Sequence, residues 1–98
     1  GLLPQGPAPP DRRGVPMIDV VYFAWVRERI GLPKERLETE AATVGDLVAE
    51  LSAREERYRL AFADTDALRV AVDQELADFD APLAGAREVA FFPPMTGG

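Results

Sequence analysis

The chain contains no cysteine and no histidine. Their absence removes disulfides, thiolate nucleophiles, imidazole bases and the usual zinc ligands together, so any chemistry done here uses other groups. Lysine occurs once, at Lys34, which reads as a solvated loop charge. Basic side chains are outnumbered, with 11 Lys and Arg against 17 Asp and Glu for a net charge of -6. That is the wrong sign for a polyphosphate, and it argues against nucleic acid and anionic membranes as partners. The acidic residues are scattered, the pattern of a solvated surface that aids solubility, and a basic protein partner stays open. No apolar run reaches the roughly 20 residues of a membrane helix. The first residues do not resemble a secretion signal either. The expectation is a soluble cytoplasmic protein with no metal site and no permanently bound cofactor.

What is present is enough for one domain of 98 residues, 47% apolar and 29% charged, with one modest core. Residues 1–16, GLLPQGPAPPDRRGVP, hold five of the nine prolines and too little apolar surface to offset the entropy of ordering. They read as a disordered leader, either an appended remnant or an N-terminal extension, before a natural start at Met17. Asp11, Arg12 and Arg13 belong to that leader, and the acidic excess survives without them.

Ile18–Val26, IDVVYFAWV, is rich in β-branched and aromatic residues and is expected to form one strand. Its alternation puts Ile18, Val20, Tyr22, Ala24 and Val26 on one face and Val21, Phe23 and Trp25 on the other. Both faces are apolar, which fits either a strand buried on both sides or one that shows a face to a partner. The connector RERIGLPKER follows, and Arg36–Glu40 alternates as a short strand able to pair back on the first. Thr43 opens the clearest helix. It is an N-cap with Asp46 three residues on and Val44, Leu47, Val48 and Leu51 at i, i+3, i+4, i+7, a helix running to about Glu56. Strands are expected at Leu68–Val72, Leu76–Phe79 and Glu88–Phe92, with Asp73 and Gln74 as a turn and DFDAPLAGAR as a loop. The pattern is α+β, a β-grasp arrangement in which a mixed sheet is covered by one main helix. The folded domain spans residues 17–92.

After Phe92 the chain reads PPMTGG. Pro93 and Pro94 lack amide donors and favour a stiff extended path, and Met95 and Thr96 lead to Gly97 and Gly98, which have no side chains. Residues 93–98 are expected to form an extended tail, and its Gly-Gly tip fits either an ordinary ragged end or appended scar, or a tip thin enough for an enzyme to reach the terminal carboxylate through a narrow channel.

FAWVRERIG near the start and LRVAVDQELADFDAPLAGAREVAFFPPMTGG at the end, with the helix between them, resemble the small subunit of molybdopterin synthase, the MoaD-like, ubiquitin-related sulfur carriers. The resemblance covers Met17 to Gly98. Gly-Gly alone is shared by ubiquitin and by the thiazole-pathway carrier, whereas the Phe-Phe-Pro-Pro lead-in is particular to this group. Asp73 stands where asparagine is common and Met95 where an aliphatic is common, and Asp73 puts the turn contact there in question. The resemblance implies that Gly98 is adenylated by a MoeB-like enzyme with ATP and Mg²⁺, and that a sulfur donor protein then converts it to a thiocarboxylate. The tail, residues Pro93 to Gly97, would then enter the synthase large subunit, in a heterotetramer of two small and two large subunits, and sulfur would pass to cyclic pyranopterin monophosphate. On this reading Gly98 is a sulfur-donating co-substrate and the catalytic groups lie mainly on the partner. The resemblance also implies partner contacts by Phe23, Leu76 and Phe92, with Arg27 as a candidate ion-pair donor. A carrier for thiamine or tRNA thiolation, or a protein modifier, shares the fold and the Gly-Gly end and is the alternative.

Overall fold

The computed structural model describes residues 17–94. The calls on residues 1–16 and on Met95, Thr96, Gly97 and Gly98 lie outside them. Strand β1 (Met17–Tyr22) is followed by helix α1 (Ala24–Ile30), β2 (Lys34–Glu38), α2 (Val44–Arg54) and α3 (Glu56–Ala61). A 3-10 turn at Thr65–Ala67 then leads to β3 (Arg69–Val72), β4 (Glu75–Ala77) and β5 (Glu88–Phe92). The five strands form one sheet in the order β2-β1-β5-β3-β4. The central pair β1 and β5 is parallel, and every other pair is antiparallel.

Alternation along the strands sends Ile18, Val20, Tyr22, Leu37, Val70, Val89 and Phe91 to one face. All are buried in a single core with Val26 and Ile30 of α1, Val44, Leu47, Val48 and Leu51 of α2, and Tyr58 and Ala61 of α3. Phe91 has no exposed surface. Its ring stacks on Tyr22 at 6.3 Å between centroids and meets Phe62 at 4.9 Å. Helices cover this face of the sheet, and the other face is open.

Helix α2 forms as its periodicity requires. The Thr43 hydroxyl accepts from the amide of Asp46 at 3.1 Å, satisfying one of the orphan donors at the helix start, and the four residues of the predicted stripe are its buried ones. It stops at Arg54 rather than Glu56, because Glu55 is extended (φ -148, ψ 151). Helix α3, which the sequence reading left unassigned, then restarts the coverage. α2 is the main helix, and α1 and α3 share the cover of the sheet with it.

The single strand expected over Ile18–Val26 is corrected. β1 ends at Tyr22, and Ala24–Ile30 is helical. The β-branched and aromatic content pointed to a strand, but Val26 and Ile30 lie one helical turn apart, and both are buried only if the chain coils back over the sheet. Gly31, at φ 91, ends the helix in the left-handed conformation that favours glycine, and its amide donates to the Arg27 carbonyl at 2.7 Å. Ala24 accordingly leaves the buried face and is exposed. The second strand is Lys34–Glu38 rather than Arg36–Glu40, so Lys34 opens an edge strand instead of lying in a loop, though it stays exposed.

The short hairpin partner is Glu75–Ala77, and Asp73 and Gln74 form the predicted turn with φ of 51 and 72, as a two-residue hairpin demands. Asp73 serves that turn without difficulty. Its Oδ1 accepts from the amides of Arg87 and Glu88 at 2.8 and 3.0 Å, a task for which only an acceptor oxygen is needed.

One polar cluster ties the core together. The hydroxyls of Tyr22 and Tyr58 both donate to Oε2 of Glu35, at 2.7 and 2.5 Å, joining β1, β2 and α3. Burial, and then the bond to Glu35, raises both phenols above their ordinary value of 10.0, with Tyr58 pushed up to about 12 and Tyr22 further. Because the fold favours the neutral hydroxyls, their contribution is complete below the unfolded value. It is lost as pH rises through the folded one. Above neutral pH the midpoint of urea unfolding should be flat to about pH 9.5 and fall between about pH 10 and 12, and the fall should be shallower in Tyr22→Phe and Tyr58→Phe. A midpoint independent of pH over that range would contradict it.

Candidate functional site

The open face of the sheet has two ends of different chemistry. At one end Asp19 meets Arg36, whose Nε donates to Oδ1 at 2.9 Å, and this bond holds the Asp19 carboxyl below its usual range. Glu88, which pairs with Asp19 in the register, and the Asp73 turn complete this polar end.

At the other end the register sets one apolar row across four strands: Val21, Ala90, Ala71 and Leu76. The two alanines at its centre leave a trough between larger side chains. A shallow cleft of about 590 Å³ lies there, lined mainly by Phe23, Ala24, Ala71, Ala90, Phe92 and Pro93. Phe23 is 47% exposed and Leu76 76% exposed, far more than their apolar area favours in an isolated domain. Phe92 is half-buried and points to the open face because its neighbour Phe91 points to the core. The backbone leaves β5 at Phe92 directly into Pro93, which lines the cleft, and Pro94 follows it.

Three of the predicted contact residues, Phe23, Leu76 and Phe92, are thus brought to one end of one face. Arg27 is exposed on α1 and has no side-chain hydrogen bond or ion pair among the described residues. Pro93 and Pro94 are half-buried where the tail begins. Val21, Ala71, Ala90 and Ala24 were missed by sequence reasoning. Alternation puts the first three on the Phe92 side of their strands, but only the register makes them one row, and nothing in the sequence signalled Ala24.

The cleft offers no acid, base or nucleophile besides Glu88, and the described residues include no group of acidic side chains placed to hold a metal ion. None of their helices is long and apolar enough to cross a membrane. What the arrangement can do is bind apolar surface next to a chain end.

Comparison with known proteins agrees in fold and extent. Residues 20–98 match the model of the ThiS family. The chain is 44% identical over 82 residues to the molybdopterin synthase sulfur carrier subunit of Escherichia coli (strain K12), covering 84% of this chain and 100% of that protein. It is 35% identical over 82 residues to the Haemophilus influenzae protein of the same name, with the same coverage. The structure matches that of small archaeal modifier protein 1 (SAMP1) from Haloferax volcanii with a TM-score of 0.64 and 26% identity, over 85% of this chain and 100% of that one. The architecture is the ubiquitin-like β-grasp that the sequence pattern predicts.

Proposed function

On the premise that the chain belongs to the ThiS family, we propose that it is the sulfur carrier subunit of a molybdopterin synthase, with the carboxylate of Gly98 as its carrying group. The observation that carries this reading is where β5 ends. The strand that ends in Phe92-Pro93 runs through the middle of the sheet and exits beside an exposed apolar cleft, where a partner can grip the domain and take in the end of the chain together. Identity of 44% over the full length of a carrier subunit supports the assignment.

A carboxylate is a poor electrophile because its charge is delocalised and its leaving group would be oxide. Activation by a MoeB-like adenylating partner, with ATP and Mg²⁺, replaces that leaving group with AMP and releases pyrophosphate. A sulfur donor protein then attacks the acyl carbon through a persulfide sulfur and AMP departs; a second thiol attacks the donor's own sulfur in the resulting acyl disulfide, so that the S–S bond breaks, a new disulfide forms on the donor side, and a thiocarboxylate remains on Gly98. The absence of cysteine is in keeping with this, since the sulfur rides on the backbone terminus. In the large subunit the thiocarboxylate donates its sulfur to cyclic pyranopterin monophosphate, and two such deliveries build the dithiolene. The groups that orient the pterin belong to the partner, because the tail has no ionisable side chain. Pro93, Pro94, Met95, Thr96 and Gly97 form the part that enters the partner. Phe23, Leu76 and Phe92 are the apolar anchors of docking, and Arg27 supplies a charge at the rim. These steps belong in the cytoplasm, in an assembly of two small and two large subunits.

The test is intact-mass measurement after incubation with the adenylating enzyme, ATP, Mg²⁺ and a sulfur source. One oxygen should be exchanged for sulfur, and the sulfur should fragment with Gly98. An unchanged mass, or sulfur located elsewhere, overturns the reading. The likeness to SAMP1 favours one second reading, a protein modifier, for which the same experiment with added protein would give Gly98 joined to lysine amines instead.

A further inference from the structure

Three non-glycine residues among those described have positive φ. Two, Asp73 and Gln74, make the β3–β4 turn, where the hairpin requires it. The third is Ala24, at φ 55, and no hairpin explains it. Left-handed backbone is unfavourable for alanine, and alanine has no polar side chain with which to offset the strain through a local hydrogen bond. Glycine would remove the strain. Nor is the methyl kept for packing the core, since Ala24 is exposed and lines the cleft.

The strained step does one visible thing. It turns the chain from sheet to helix within a single residue, so that Phe23 is held on both sides. The Phe23 amide donates to the carbonyl of Phe91 at 3.1 Å, as a continuation of the sheet, and its carbonyl accepts from the amides of Val26 and Arg27 at 3.1 and 3.4 Å, closing the first turn of α1. Phe23 has extended backbone (φ -124, ψ 153) and presents its ring to the open face beside Phe92. A strained residue persists where its surroundings over-determine it, and such residues gather at functional sites.

We propose that Ala24 is a positioning residue of the docking surface: a stiff left-handed joint that fixes the direction of Phe23 at the mouth of the cleft. Alanine keeps this joint stiff at the cost of strain, whereas glycine would let Phe23 swing. This rests on the reading of Phe23 as a docking anchor.

The experiment compares the full chain with Ala24→Gly and Phe23→Ala, using the carrier as the varied substrate of the adenylating enzyme and measuring melting temperature in parallel. Ala24→Gly should melt at the same temperature or higher, because strain is relieved. Its KM should rise about two- to fivefold with kcat unchanged, the loss expected when one residue's backbone must be ordered on docking. Phe23→Ala should raise KM by about tenfold or more. A wild-type KM for Ala24→Gly beside a raised KM for Phe23→Ala overturns the role of Ala24 and leaves the docking surface standing. A lower melting temperature for Ala24→Gly also overturns it, since the residue would then be structural. A wild-type KM for Phe23→Ala removes the docking reading and the proposal with it.

Discussion

Removing Gly98, or appending one residue after it, is expected to abolish sulfur transfer while leaving the melting temperature unchanged. The fold should not notice, because among the described residues the core runs from Ile18 to Phe91 and includes nothing after it. The chemistry should notice completely. An extended chain advances about 3.3–3.6 Å per residue, whereas reacting atoms must approach within about 3–3.5 Å in a fixed direction. On the proposed mechanism, a shift of one residue therefore carries the acyl carbon out of range at both partners, at the adenylate and again at the pterin. Gly97→Val should be severe without being absolute, since it adds a β-branched side chain where the tail must be thin and restricts the backbone beside the reacting group. Docking by Phe23, Leu76 and Phe92 should survive in all three variants. The check is a paired assay of complex formation and molybdopterin synthesis, and an extended protein that works at the normal rate without being trimmed would overturn the terminal-carboxylate mechanism.

The second large effect separates two adjacent phenylalanines. Phe91→Ala should cost about 3–5 kcal/mol, the transfer term plus the cavity left between Tyr22 and Phe62. At about 4–8 °C per kcal/mol for a domain of this size, and with total stability of only about 5–15 kcal/mol, much of the protein should unfold on mild heating. Phe92→Ala should change stability by about 1 kcal/mol or less, because that ring already meets water, but should weaken partner binding by about tenfold or more as an interface anchor. Thermal unfolding and partner titration of the two variants read this directly. Equal losses of stability would mean that the two faces of β5 are wrongly assigned.

The parts of the fold legible in the sequence were those whose signals were local and agreed with one another. Thr43, Asp46 and the stripe from Val44 to Leu51 specify cap and face of α2 at once, and the β-branched and aromatic run in EVAFF sets the extent of β5. The joint after Tyr22 was not legible, because IDVVYFAWV satisfies a strand on composition. Its conversion to helix depends on Val26 and Ile30 finding the core together, which is a tertiary effect. Tyr58, Ala61 and Phe62 carried the i, i+3, i+4 spacing of α3, but over too short a span, between charged residues, to stand out. At the site, Phe23, Leu76 and Phe92 came from the family resemblance, and the structure places them on one face of the sheet. The trough between them could not be read from the chain, since Ala71 and Ala90 become neighbours only through the pairing of β3 with β5.

The position of β5 between β1 and β3 means that the last strand to be synthesised is the middle one of the sheet. Until it arrives, β1 and β3 have no shared neighbour, and the core lacks Val89 and Phe91. A chain cut before β5 therefore cannot close this sheet or present Phe92, whereas one cut between Phe92 and Gly98 keeps every residue of the described core.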